Sequence, residues 1–139
     1  MTDRNFHILI TDRNPHVRDL LKREFANQAY RVDTAGEGAE ILRLAGTTPL
    51  PHLIILDPET PSDLGEGLVS ALARVGSSIP IILHGFGLEE VETTEKMVAA
   101  RVEKNGDTVR LLEAAERVLR QHYPARFKTA ETEGNGEIR

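Results

Sequence analysis

Asp57 ends an unbroken apolar run, Leu53-Ile54-Ile55-Leu56, and is followed by Pro58, Glu59, Thr60 and Pro61. A second copy of the pattern lies upstream in Ile8-Leu9-Ile10-Thr11-Asp12. A short buried strand that ends in a carboxylate holds the acid at the rim of a sheet, where ligands bind in open α/β folds. Two such strands deliver two carboxylates, the donor type that a divalent metal takes, and such a metal in turn binds phosphate oxygens. Alone, an Asp in this position is as readily a turn residue. A framework that brings both acids to one edge turns them into a pocket.

The rest of the chain supplies that framework. Asn14-Pro15 reads as a helix start, with Asn as cap and Pro at the first helical position; Val17, Leu20, Leu21 and Phe25 follow at helical spacing. Residues 30–32 alternate as a second strand, and 37–45 form a short helix closed by Gly46. Residues 53–56 are the third strand. Leu68, Leu72 and Val75 mark a third helix ended by Gly76. Residues 79–83 are a fourth strand, with Pro80 near its start, where a missing donor is tolerated. Residues 88–100 read as an acidic helix and 101–103 as a fifth strand. Asp107 caps a last helix that Pro124 stops. Strict β-α alternation with buried strands implies a parallel sheet covered by helices on both faces.

The bulk properties fit one such domain. The chain has 139 residues, 40% of them hydrophobic and 28% charged, enough for one core and a polar surface. Aromatics are only 4% and Trp is absent, so the core must be aliphatic. A net charge of -5 argues against a general nucleic-acid or anionic-membrane role. There is no cysteine, which excludes disulfides and thiolate metal sites. No apolar stretch approaches a transmembrane span, and the polar start is no signal peptide; a cytoplasmic location is expected. From Ala125 the pattern dissolves into Thr, Glu, Gly and Asn, so residues 1–124 are expected to form the domain and 125–139 a disordered tail or linker.

In order and spacing, these pieces resemble a response-regulator receiver domain, the CheY-like family of two-component signalling. The matching pieces are residues 8–12 with Pro15 and Arg18, residues 35–42, residues 53–57 with Pro61, Pro80-Ile81-Ile82, and Glu103-Lys104 before Asp107 and Leu111-Leu112. The resemblance covers roughly Phe6 to Tyr123. It implies a doubly wound, flavodoxin-like three-layer fold: a five-stranded parallel sheet in the order 2-1-3-4-5 with five helices. It also implies that Asp57 is the position that accepts a phosphoryl group from a histidine kinase. Asp12 falls at one position of the acidic pair that helps hold Mg²⁺, and Lys104 at the position that binds phosphoryl oxygens.

Other positions depart from the family pattern, among them Asn105 where a Pro follows the Lys and Leu64-Gly65 where Asp-Gly is usual. Arg13 stands where the second acid belongs, Gly85 where a Ser or Thr belongs, and Arg101 at the aromatic switch position. Arg13 is a permanent cation and cannot ligate a metal. Two carboxylates then face two cations, and Arg13 serves as a built-in counter-charge in place of Mg²⁺. Any metal at Asp12 and Asp57 should be weak, and no cofactor is expected. Without the hydroxyl, phosphoryl transfer, which depends on positioning and charge neutralisation, should be impaired.

Other motifs carry less. Strand alternation sends His84 away from the pocket side that Gly85 faces. His7, His16, His52 and His122 show no ligand spacing. Gly36-Glu37-Gly38 is a poor dinucleotide loop, because Ile41 replaces its third glycine. The acidic run with Glu89, Glu92 and Glu95 is ordinarily a solvated helix face. By the resemblance, however, the fourth helix, fifth strand and fifth helix form a partner surface and a possible homodimer face.

The leading expectation is a receiver-like module that is not an enzyme and works mainly through protein–protein contact. Its partners would be signalling proteins, with a histidine kinase or an output domain as candidates, not nucleic acid or membrane. The alternative is an ordinary phosphoacceptor driven by a kinase through Asp57. A phosphohydrolase with a strand-end Asp nucleophile is a third reading, disfavoured because Asn14 stands where its second acid would be.

Overall fold

The structure, a computed structural model, describes residues 5–63, 67–91 and 95–127. Five strands, β1 (His7–Thr11), β2 (Arg31–Ala35), β3 (Leu53–Leu56), β4 (Ile81–Gly85) and β5 (Val98–Glu103), form one parallel sheet in the order β2-β1-β3-β4-β5. Four α-helices intervene: α1 (Pro15–Ala26), α2 (Gly38–Ala45), α3 (Leu68–Arg74) and α4 (Val109–His122). A 3₁₀ turn, Leu88–Glu90, stands between β4 and β5. The expected sheet and its order are present, and the fourth of the five helical segments is reduced to that turn.

Strand alternation explains the three layers. Ile8, Ile10, Leu53, Ile55 and Ile82 face α1 and α4 in one cluster with Leu21, Phe25, Leu111 and Val118. Leu9, Ile54, Leu56, Ile81 and Leu83 face α2 and α3 in a second cluster with Ile41, Leu68 and Leu72. The central strands are apolar on both faces, as a doubly covered sheet demands. Each fully buried Leu or Ile contributes about 1.5–3 kcal/mol relative to exposure, so these strands fix their register firmly.

Local signals set the element ends. The Asn14 side chain accepts from His16 N at 2.9 Å, with Pro15 opening α1. Gly76 follows α3 at φ +79, a left-handed value that suits glycine. Asp107 Oδ1 accepts from Val109 N at 2.9 Å and so caps the start of α4.

Two expectations need correction. Residues 88–100 do not form one helix. Val98–Ala100 belong to β5, paired to β4 through Ile81↔Val98 and Ile82↔Ala100 with a register shift between them. Val91 already has extended backbone after the 3₁₀ turn. Val91 is β-branched, which weakens helix propensity, and the β4 edge offers Val98–Ala100 a ladder instead. The domain also runs past its expected end at residue 124. Residues 124–127 make a further helical turn, and Phe127 is buried, stacked on Phe6 with ring centroids 5.6 Å apart. Among the described residues no helix is long and apolar enough to cross a membrane.

Candidate functional site

Register brings the two acids together. β1 and β3 pair in parallel, Ile8↔Leu53 and Ile10↔Ile55, so Asp12 and Asp57, each just past its strand, lie level at one edge. Both are fully buried. Asp57 N donates to Thr11 Oγ1 at 3.1 Å, which ties the two strand ends. Asn14 N donates to Asp12 Oδ1 at 2.9 Å, and Glu59 N to Asp57 Oδ1 at 3.0 Å.

Lys104 emerges directly after β5 and spans both acids. Its Nζ lies 2.7 Å from Asp12 Oδ2 and 3.3 Å from Asp57 Oδ2. Lys104 N donates to Gly85 O at 2.9 Å, so the β4–β5 ladder fixes the start of the arm. A buried carboxylate pair without a cation would be costly, and this ammonium supplies one.

Arg13 sits across the mouth. Its Nε is 3.6 Å from Asp57 Oδ2 and its backbone N 3.4 Å from the same oxygen. Its Nη2 instead takes Glu59 Oε2 at 2.7 Å. The guanidinium is therefore shared between a buried and an exposed carboxylate. The expected balance of two acids against two cations is corrected: Glu59 adds a third carboxylate around Arg13. The signal for Glu59 was its place two residues beyond Asp57, on a loop that the β1–β3 register sets beside Arg13.

Gly85 faces Asp57, as alternation required. A Cβ built on it would lie 3.6 Å from Asp57 Oδ1, 3.2 Å from Pro58 Cδ and 3.3 Å from Leu88 Cδ2. The position is close to the acid but nearly filled. His84 turns the other way, into a cavity of about 180 Å³ lined with Val17, Leu20, Leu21 and Lys104. Burial lowers the His84 pKa from 6.5; the neighbouring Lys104 lowers it further, while Asp12 and Asp57 oppose the shift.

Arg101 does something other than fill an aromatic position. Its Nη1 donates to Leu88 O at 2.6 Å and Val91 O at 2.7 Å. Two residues on, the Glu103 carboxylate accepts from Gly87 N at 3.1 Å and Leu88 N at 2.7 Å. These side chains share one face of β5 and grip the 3₁₀ turn at both ends, carbonyls by the cation and N–H groups by the anion. Arg18 was named only as part of a pattern; its Nη1 donates to Asp12 O at 2.6 Å. Gly36 leaves room for this, since a Cβ there would lie 2.6 Å from that nitrogen.

The three acids expected to form an interaction face do not share a helix. Glu89 lies exposed on the 3₁₀ turn and Glu95 lies exposed before β5. Glu92 lies outside the described residues.

The signature of response regulator receiver domains matches residues 8–117. The chain belongs to the response regulator receiver domain family. It is a receiver of two-component signalling, with Asp57 at the strand end this fold reserves for its acid. Transcriptional regulatory protein GlrR of Escherichia coli is 29% identical to this receiver over 128 residues, covering 90% of the chain and 29% of GlrR. Probable transcriptional regulator ycf27 of Cyanidium caldarium is 38% identical over 80 residues, covering 58% of the chain and 31% of ycf27. The receiver thus spans about a third or less of these curated relatives. Among solved structures, the response regulator TrrA of Thermotoga maritima in complex with Mg²⁺ and BeF is similar at TM-score 0.68 and 27% identity, covering 82% of this chain and 99% of TrrA. A structure of TrrA with the histidine kinase ThkA gives TM-score 0.69 at 26% identity, covering 82% of this chain and 98% of TrrA.

Proposed function

We propose that this receiver is an atypical one, a contact module whose Mg²⁺-dependent phosphorylation at Asp57 is impaired. The observation that carries the reading is the guanidinium of Arg13 at Asp57, with Nε 3.6 Å from Oδ2. The donor set does not fit Mg²⁺, which takes oxygen ligands in near-octahedral array. Arg13 and Lys104 both approach Asp57 Oδ2, so the charge a metal would neutralise is already opposed. Gly85 contributes no hydroxyl. In this reading the receiver is not an enzyme and holds no resident cofactor.

The working surface in this reading is the 3₁₀ turn with Glu89, the edge strand β5 and the outer face of α4. Its partner would be a cytoplasmic signalling protein, a linked output domain or a second copy of the chain. Acidic groups there would favour a basic partner and set its association rate.

A second reading keeps Asp57 as a working phosphoacceptor. Its support is the intact trio of Asp12, Asp57 and Lys104, with the ammonium within 3.3 Å of both acids. An Arg fork also binds phosphate well. Incubation with acetyl phosphate and Mg²⁺, followed by intact mass, separates the two. The first reading expects no phosphoryl adduct on the wild type and an adduct on Arg13→Asp with Gly85→Ser. A stoichiometric wild-type adduct that disappears in Asp57→Asn establishes the second.

A further inference from the structure

The end of the sheet remote from Asp57 holds a second polar cluster, and neither reading uses it. His52 immediately precedes β3, and its Nδ1 accepts a hydrogen bond from His7 N at 2.9 Å. The backbone returns the contact, His52 N donating to His7 O at 2.8 Å. His7 Nε2 lies 2.6 Å from Asp33 Oδ2 on β2. Tyr123, at the end of α4, donates its hydroxyl to His52 O at 2.8 Å. The His52 ring stands edge-on to Phe6 at 5.2 Å and to Tyr123 at 5.3 Å. Phe6 in turn carries Phe127, and Arg126 lies over the Phe6 ring at 4.9 Å. One imidazole thus joins the start of β1, the start of β3, the end of α4 and the turn at residues 124–127.

We propose that this cluster is a proton-sensitive latch: protonation of His52 at Nδ1 breaks the bond from His7 N and releases the turn that seats Phe127 on Phe6. An imidazole nitrogen accepts a hydrogen bond only while it carries no proton. A proton there turns acceptor into donor and sets two N–H groups against each other. It also places a cation beside charges of its own sign. The titratable and charged groups facing His52 are His7 from β1, Arg126 from the terminal turn and Tyr123 from the end of α4. Among the described residues none of these is an acid, and Asp33 is committed to the far side of His7. Burial, then Arg126 and His7, hold the His52 pKa below 6.5, while burial raises the Tyr123 pKa.

The sign follows by linkage. A His whose folded pKa lies below its unfolded value keeps its native contacts above that unfolded value, and loses stability as pH falls through it. The latch is closed at neutral pH and opens in mild acid. Histidine is suited to this because its charge changes within the physiological range. The segment so released leads directly into residues 128–139.

The test is a pH titration of the full chain by NMR, from pH 7.5 to 5. The His52 ring, the His7 amide and the Phe127 ring and amide are followed, with NOEs between Phe6 and Phe127. The latch predicts that all move with one midpoint below 6.5, that the Phe6–Phe127 NOEs fade, and that Phe127 amide exchange rises severalfold after intrinsic-rate correction. His52→Gln, which keeps an acceptor that cannot titrate, should hold Phe127 packed throughout. Arg126→Gln removes a repelling cation and should move the His52 midpoint upward. It decides the matter if His52→Gln does not fold. Titration of His52 with Phe127 still packed overturns the latch, as does unchanged release in His52→Gln or an unmoved midpoint in Arg126→Gln.

Discussion

The two sides of the Asp57 pocket differ in build: β1 and β3 are buried throughout, whereas β5 on the other side is an edge strand left half-buried or exposed. On the β1–β3 side, Thr11, Asp12 and Asp57 are locked by backbone and side-chain bonds, and Lys104 reaches across from the end of β5 to close the pair at 2.7 and 3.3 Å. On the β4–β5 side, Gly85 presents no functional group, and Arg101 and Glu103 pin the following turn to the sheet. The contrast separates holding a charge from reporting on it. The acids are held by backbone N–H groups and the Lys104 ammonium, while the turn after β4 is clamped by two charged side chains.

The largest effect should come from the holding side. Lys104→Met leaves Asp12 and Asp57 buried with only the half-shared Arg13 opposite. Breaking a buried ion cluster by removing one partner costs about 3 kcal/mol or more. Denaturant unfolding at neutral pH should show a loss of that order, largely recovered by adding Asp12→Asn. If Lys104→Met is as stable as wild type, the carboxylates do not depend on Lys104.

Next in size is the filled space at Gly85. Any Cβ here would meet Pro58 and Leu88 at 3.2 and 3.3 Å, and Thr adds a γ-methyl that Ser lacks. Overpacking of this kind costs about 1–2 kcal/mol, so Gly85→Thr should be less stable than Gly85→Ser. Equal stability of the two would show that Leu88 and its turn yield freely, against the idea of a clamped segment.

A smaller loss should follow release of the clamp itself. Arg101→Ala removes two hydrogen bonds from an exposed guanidinium, a net effect of about 1 kcal/mol. The sharper readout is local: amide exchange of Gly87, Leu88 and Val91 should rise while that of Leu9 and Ile55 stays unchanged. Uniform acceleration across the sheet would instead make Arg101 part of the global core.

These contrasts also mark what the sequence makes legible. Asp12 and Asp57 were legible as strand-end acids, and the family resemblance added Gly85 and Lys104; the parallel register brings all four to one edge. Strand alternation sent His84 to the opposite face. The segment after β4 was misread, because the acidic run Glu89–Glu95 fits a solvated helix by pattern alone. The competing ladder of Val98–Ala100 on β4 is a tertiary effect with no local mark. Glu59 escaped notice for a related reason: its importance comes from Arg13, forty-six positions away, and only the β1–β3 register brings the two together. Phe127 lay beyond the last periodic helix, and one aromatic in a polar stretch gives no periodic signal.

The central claim is that Arg13 takes the place of a metal at Asp57, and a Mg²⁺ titration tests it most directly. Amide shifts of Asp12, Arg13, Asp57 and Glu59 would be followed by NMR in the wild type and in Arg13→Asp. Loss of a like-charged neighbour and gain of a carboxylate give Mg²⁺ the oxygen donors it requires. The account predicts no saturable shift in the wild type through the millimolar range, and saturable binding in Arg13→Asp. Saturable millimolar or tighter binding by the wild type at these residues would contradict it.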